Sequence, residues 1–174
     1  MNNNDILIRL RYALDMKDID MLDIFKLGGI TVTREDLQRM LLKPKKGSDI
    51  DSEDEFVAND EMKKCNNFMI ESFLNGFILL KRGKQEPEPG KPEKQAFMIK
   101  ENKHVNNILL KKLKIALSLT SEDMLDILKA AGVNLSNSEL SSVLRREGQR
   151  NYKECGDRYA RNFLKGLAIK YKSK

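Results

Sequence analysis

Apolar residues recur along this chain at helical spacing. Ile6, Leu7, Leu10, Ala13 and Leu14 stand three and four apart and predict an amphipathic helix over residues 5–17. Met21, Leu22, Ile24 and Phe25 predict a second helix, with Asp18 as N-cap and Asp20 in its first turn. Gly28-Gly29 should stop it, because a helix C-terminus needs a left-handed residue. Thr33-Arg34-Glu35-Asp36 is a capping-box pattern, opening a third helix that carries Leu37, Met40 and Leu41 and closes at Pro44. A fourth helix, Phe68 to Ile78, follows Cys65.

The same signals then return. Asp20-Met21-Leu22-Asp23-Ile24 recurs letter for letter as Asp123-Met124-Leu125-Asp126-Ile127, inside a longer repeat that pairs Asn3-Asn4 with Asn106-Asn107 and Ala13-Leu14 with Ala116-Leu117. Where letters change, roles persist: Ser121 stands for Asp18 as cap, Gly132 keeps the stop, and Ser136-Asn137-Ser138-Glu139 is again a capping box. The repeated Asp-Met-Leu-Asp-Ile is therefore read as fold rather than as a metal or acid-base pair. Past the cysteines, Phe68 to Ile78 matches Arg158 to Ala168, and each copy keeps a mid-helix glycine, Gly76 and Gly166. Glycine there costs about 1 kcal/mol against alanine, so another backbone should pack closely at both. The expected fold is all-α: two tandem four-helix repeats about a pseudo-twofold axis, residues 1–83 and 105–174. They are joined by a charged linker over 84–104 containing Pro87, Pro89 and Pro92.

Composition agrees with this reading and narrows the chemistry. Of 174 residues, 33% are charged and 40% apolar, with no Trp, which suits a soluble helical protein better than a sheet. The opening Met1-Asn2-Asn3-Asn4-Asp5 has no basic-then-apolar leader, and no apolar run approaches the roughly 20 residues that span a bilayer. A cytoplasmic protein without membrane partners is expected. Cys65 and Cys155 occupy equivalent places and lack the neighbours of a zinc site, so buried structural thiols are the expectation. Residues 45–61 hold seven Asp and Glu and are read as a solvated acidic loop.

The net charge of +6 is uneven, residues 105–174 holding 14 Lys and Arg against 7 Asp and Glu. On the last helix Arg158, Arg161, Lys165 and Lys172 share one face, whereas the first copy has Phe68, Glu71, Asn75 and Arg82 there. With Lys111, Lys112 and Lys114, and with Arg145, Arg146 and Arg150, they are candidate contacts to nucleic-acid phosphates or to another acidic partner. No aromatic platform for stacking bases is apparent. His104 is the single histidine and lacks a placed nucleophile, so no catalytic residues, cofactor or metal are expected. The hairpin between the second and third helices is too short and ligand-poor for an EF-hand, and its connection is longer than that of a helix-turn-helix.

The Leu-rich first helix, Ala116-Leu117-Ser118-Leu119, Cys155-Gly156-Asp157 and the paired Phe-Leu-x-Gly segments resemble the YehS family of small bacterial proteins. The resemblance spans nearly the whole chain and implies a duplicated all-helical domain, with no established activity and no site residues to carry over. The acidic stretch is longer than usual for that family, and the first copy reads Cys65-Asn66-Asn67 where the second has Cys155-Gly156-Asp157. The functional expectation is a non-enzymatic binding or regulatory module touching nucleic acid through its second copy. The alternative is a protein adaptor with a groove between the copies.

Overall fold

Capping chemistry sets where most of the helices begin. The computed structural model describes residues 1–42, 62–83, 97, 99, 101–146 and 148–172. The acidic stretch 45–61 and residues 84–96 of the linker lie outside them. Among the described residues there are eight α-helices and no strand. They are α1 (Asn3–Ala13), α2 (Asp18–Leu27), α3 (Arg34–Met40), α4 (Asn67–Arg82), α5 (Val105–Ala116), α6 (Ser121–Ala130), α7 (Asn137–Leu144) and α8 (Asp157–Lys172). A 3-10 turn, Asn102–His104, leads into α5.

Asn2 caps α1 by accepting from the Asp5 N–H at 2.8 Å, and the Asp5 carboxylate accepts in return from the Asn2 N–H. The helix stops earlier than the apolar stripe suggests because Asp15 turns left-handed, with φ of 51°, as does its equivalent Ser118, with φ of 53°. The caps of α2 and α6 are Lys17 and Thr120, one residue before the expected Asp18 and Ser121. The reason is the repeated motif itself. Asp20 accepts from the Lys17 N–H and Asp123 from the Thr120 N–H, each at 2.9 Å, so each motif's first aspartate satisfies the cap backbone from inside the first turn. Asp18 is left to pair with Arg11. Thr33 and Ser136 cap α3 and α7 as the pattern predicts.

The two halves of the chain interleave. α1 lies against α8 and α4 against α5, while α2 packs on α4 and α6 on α8. Buried side chains from both halves, Leu7, Leu10, Phe25, Phe73, Leu109, Leu113, Met124 and Phe163 among them, form one continuous core. The α2–α4 and α6–α8 crossings are close enough to require glycine. A Cβ on Gly76 would lie 1.8 Å from the Ile24 carbonyl oxygen, and one on Gly166 would lie 1.9 Å from that of Ile127.

Two buried asparagines fasten the segments before α4 and α8. Asn4 donates to the carbonyls of Met40 and Lys63 and accepts from the Cys65 N–H. Asn107 does the same with Val143, Lys153 and Cys155. Each clamp satisfies backbone groups that burial would otherwise leave unpaired. Beside them sit the two thiols, free and buried, with burial as the main cause pushing each up to about 12.

Candidate nucleic-acid interface

The basic residues separate into two groups with different surroundings. The first lies where α7 gives way to a tight turn with Gly148 and Asn151 at positive φ. Arg145 reaches across this turn to the Arg150 carbonyl at 2.9 Å, and the Gln149 side chain accepts from the Arg146 N–H at 2.9 Å. All three arginines are exposed. Arg146 stands close enough to Lys111 on α5 that, after burial, its charge is the next cause lowering the Lys111 ammonium below its ordinary value. The fold thus brings together Lys111, Arg145, Arg146 and Arg150, and none is ion-paired with another described residue.

Lys112 does not belong to this surface. Its side chain is 3% exposed, between α5 and α4, where it pairs with Glu71 at 3.2 Å and bonds the Asn75 side chain. Successive residues of a helix are 100° apart, so Lys111 and Lys114 can share a partly open side while Lys112 turns to the core. Glu71 also accepts from the Ile99 N–H at 2.8 Å.

The second group, Arg158, Arg161 and Lys165, runs along α8 beside α1. Arg158 and Lys165 are exposed, whereas Arg161 is half-buried. Burial pushes the Asp5 carboxyl up, against the pull of the Asn2 N–H, Arg9 and Arg161. Further along, the Lys172 ammonium sits 4.3 Å above the Tyr12 ring. The basic stripe is therefore partly a seam between helices, and Arg161 takes in that seam the place Glu71 takes between α4 and α5.

Residues that the sequence pattern left without a role gather at the other feature of the surface. A cleft of about 480 Å³ opens where α1, α4, α5 and α8 begin, lined by Asn2, Asn3, Asn4, Asn66, Asn67, Asn102 and Asn106 with Lys64, Asp157, Met62 and Val105. Asn3 donates to Asn67 and Asn67 to Asn102, at 2.9 and 2.8 Å, while Asn106 donates to Asp157 at 2.8 Å. Burial raises the Asp157 carboxyl, but its hydrogen bonds from the Met1 amine and Asn106 outweigh that and hold it below the usual range. The signal for this site was the recurrence of Asn3-Asn4 as Asn106-Asn107. Near it, Phe68 and Phe97 stack at 5.0 Å and 17°, and both stay about half exposed, an aromatic pair the sequence did not reveal.

His104 is buried, with its Nδ1 2.9 Å from the Tyr152 hydroxyl. Among the described residues no three His, Cys, Asp or Glu side chains are grouped to hold a metal ion, and no helix is long and apolar enough to cross a membrane.

An interleaved all-helical chain of this kind has a family. The protein belongs to the family described as "Protein of unknown function (DUF1456)", whose profile matches residues 3–83 and 106–173. It is 37% identical over 171 residues to the uncharacterized protein YehS of Escherichia coli (strain K12), covering 98% of this chain and 96% of that one. No solved structure matches the chain.

Proposed function

We propose that the protein is a cytoplasmic, non-enzymatic binding module, made of two four-helix repeats about a pseudo-twofold axis, that contacts nucleic acid through phosphate. The observation that carries this reading is the cluster of Lys111, Arg145, Arg146 and Arg150, held together with no ion-pair partner among the described residues. Like charges kept close on a surface raise the local potential for an anion. Phosphates spaced along a strand suit a cluster of arginines, whose planar guanidinium groups bind them bidentately. Lys114, Arg158 and Lys165 extend the positive field, Arg161 serves mainly the α1–α8 seam, and Lys112 has no part in it. The match of the family profile in two segments supports the repeat boundaries. So do the equivalent Asn4 and Asn107 clamps.

An adaptor groove for a partner helix has less support, because the apolar side chains of the cleft where the two halves meet, Met1, Met62, Cys65 and Val105, are interspersed with seven asparagines, Lys64 and Asp157 rather than joined in one stripe. The deciding experiment is fluorescence anisotropy with labelled duplex DNA and structured RNA, titrated from low to physiological salt. The protein is compared with its Arg145→Glu/Arg146→Glu/Arg150→Glu variant. Phosphate contact gives affinity that falls with salt and is lost in the variant. Binding that the variant retains sinks the reading.

A further inference from the structure

We propose that the asparagine-lined cleft binds a nucleotide unit, its base held by side-chain amides and its phosphate by Lys64 at the rim. Hydrogen-bond capacity separates the asparagines of the fold into two kinds. Asn4 and Asn107 are structural: each uses both amide hydrogens and its carbonyl oxygen within the fold. Of the other cleft asparagines, Asn67 also uses both its groups, whereas Asn66, Asn102 and Asn106 are only half used. Asn106 is more than nine-tenths buried and spends its amide hydrogens on the Cys155 carbonyl and Asp157, yet its Oδ1 accepts from no described residue. Opposite in character, Asn66 and Asn102 spend their oxygens on the Met69 N–H and Asn67, and their NH2 groups donate to no described residue. The Asn106 oxygen is not sealed off: it stays accessible on the cleft side, where a donor on a bound molecule can reach it.

The cleft therefore presents an acceptor on a buried side chain together with open amide donors, over a volume of about 480 Å³ that falls within the range of small-molecule sites. A nucleobase edge carries donors and acceptors in one plane, the pattern that asparagine reads bidentately on adenine. Met62 and Val105 add apolar surface for a ring face. Lys64 is exposed and has no ion-pair partner among the described residues, so its ammonium is available to a phosphate. The start of α4, which has no acidic residue in its first turn, favours the same negative charge. The cleft does not involve the basic turn, and this proposal does not rest on the strand reading.

The test is isothermal titration of the full chain with AMP, GMP, CMP and UMP, with inorganic phosphate alongside, repeated on Asn102→Ala and Asn106→Leu. Binding of at least one monophosphate, weakened about tenfold or more by each of the two variants, is the expected result. If Asn106→Leu melts early, Asn102→Ala, at an exposed position, decides alone. A single-stranded oligonucleotide that competes with the monophosphate identifies a strand as the source of the unit, and one that does not compete identifies the free nucleotide. No heat with any of the four, phosphate bound as tightly as the monophosphates, or affinity unchanged in Asn102→Ala overturns the proposal. The Arg145→Glu/Arg146→Glu/Arg150→Glu variant should keep monophosphate affinity while losing strand binding, so the two readings fail separately.

Discussion

Lys112 Nζ lies 3.2 Å from Glu71 Oε2 between α5 and α4, with both side chains at most 3% exposed. A pair this buried gives back in attraction much of what its desolvation costs, so its removal in halves is more damaging than its replacement as a whole. Lys112→Met or Glu71→Leu should each cost about 3–5 kcal/mol, because each leaves a charge without its partner in the core. Lys112→Met/Glu71→Leu should recover most of that loss. Urea unfolding of the four proteins gives the coupling, and single losses that simply add in the double variant would show that the pair is not coupled.

The close crossings make a second expectation. On helix propensity alone, glycine to alanine inside α4 or α8 should gain about 1 kcal/mol. Here a methyl at Gly76 or Gly166 would stand 1.8 or 1.9 Å from a backbone oxygen, which no side-chain rotation relieves. Gly76→Ala and Gly166→Ala should therefore destabilise by at least about 1–3 kcal/mol, the range for overpacking, through separation of α4 from α2 or α8 from α6. A midpoint of urea unfolding that stays put or rises would refute the close approach.

How far the sequence carried is seen in those same glycines. Their recurrence in mid-helix was costly enough to demand a reason, and the backbone crossing is that reason. Asp20 and Asp123 were likewise readable as first-turn carboxylates, but which residue caps each helix was not. That choice turns on whether a carboxylate reaches back three residues, which Lys17 exploits despite its own side chain. The swap of partners, α1 with α8 and α4 with α5, was invisible because apolar stripes name a buried face without naming what covers it. Lys112 reads as a surface lysine in the sequence for the same reason, since a Lys-Lys-x-Lys run looks alike whether or not a neighbouring helix carries Glu71. The cleft escaped because its asparagines come from three separated stretches, residues 2–4, 66–67 and 102–106, that only the fold collects.

The thiols give a pH dependence with a definite sign. Burial raises Cys65 and Cys155 from the ordinary 9.0 to about 12 in the folded protein. A group whose folded value is raised contributes stability in full below the unfolded value and loses it as pH climbs towards the folded one. Stability should therefore fall across the window from about 9 to about 12, on top of any other titration, and Cys65→Ala/Cys155→Ala should fall less steeply there. At pH 8 the native thiols should react with a disulfide reagent far more slowly than those of the unfolded chain. Fast labelling of the native protein would contradict their burial.

Arg161 and the arginines of the basic turn should behave as different kinds of residue. Arg161 is half-buried beside Asp5 and Asp157, whose carboxyls feel its charge. Arg161→Glu would set a third carboxylate among them, so the variant should melt earlier while Arg145→Glu, in an exposed turn, melts with the native protein. Strand binding should show the opposite order. Neutralising Arg145, Arg146 or Arg150 one at a time should flatten the dependence of log K on log salt by about 0.9 for duplex DNA, the share of one phosphate. Arg161→Gln, which removes the charge without adding one, should leave that slope nearly intact. A slope reduced as much by Arg161→Gln as by Arg146→Gln would move the phosphate-binding surface from the turn to the α1–α8 seam.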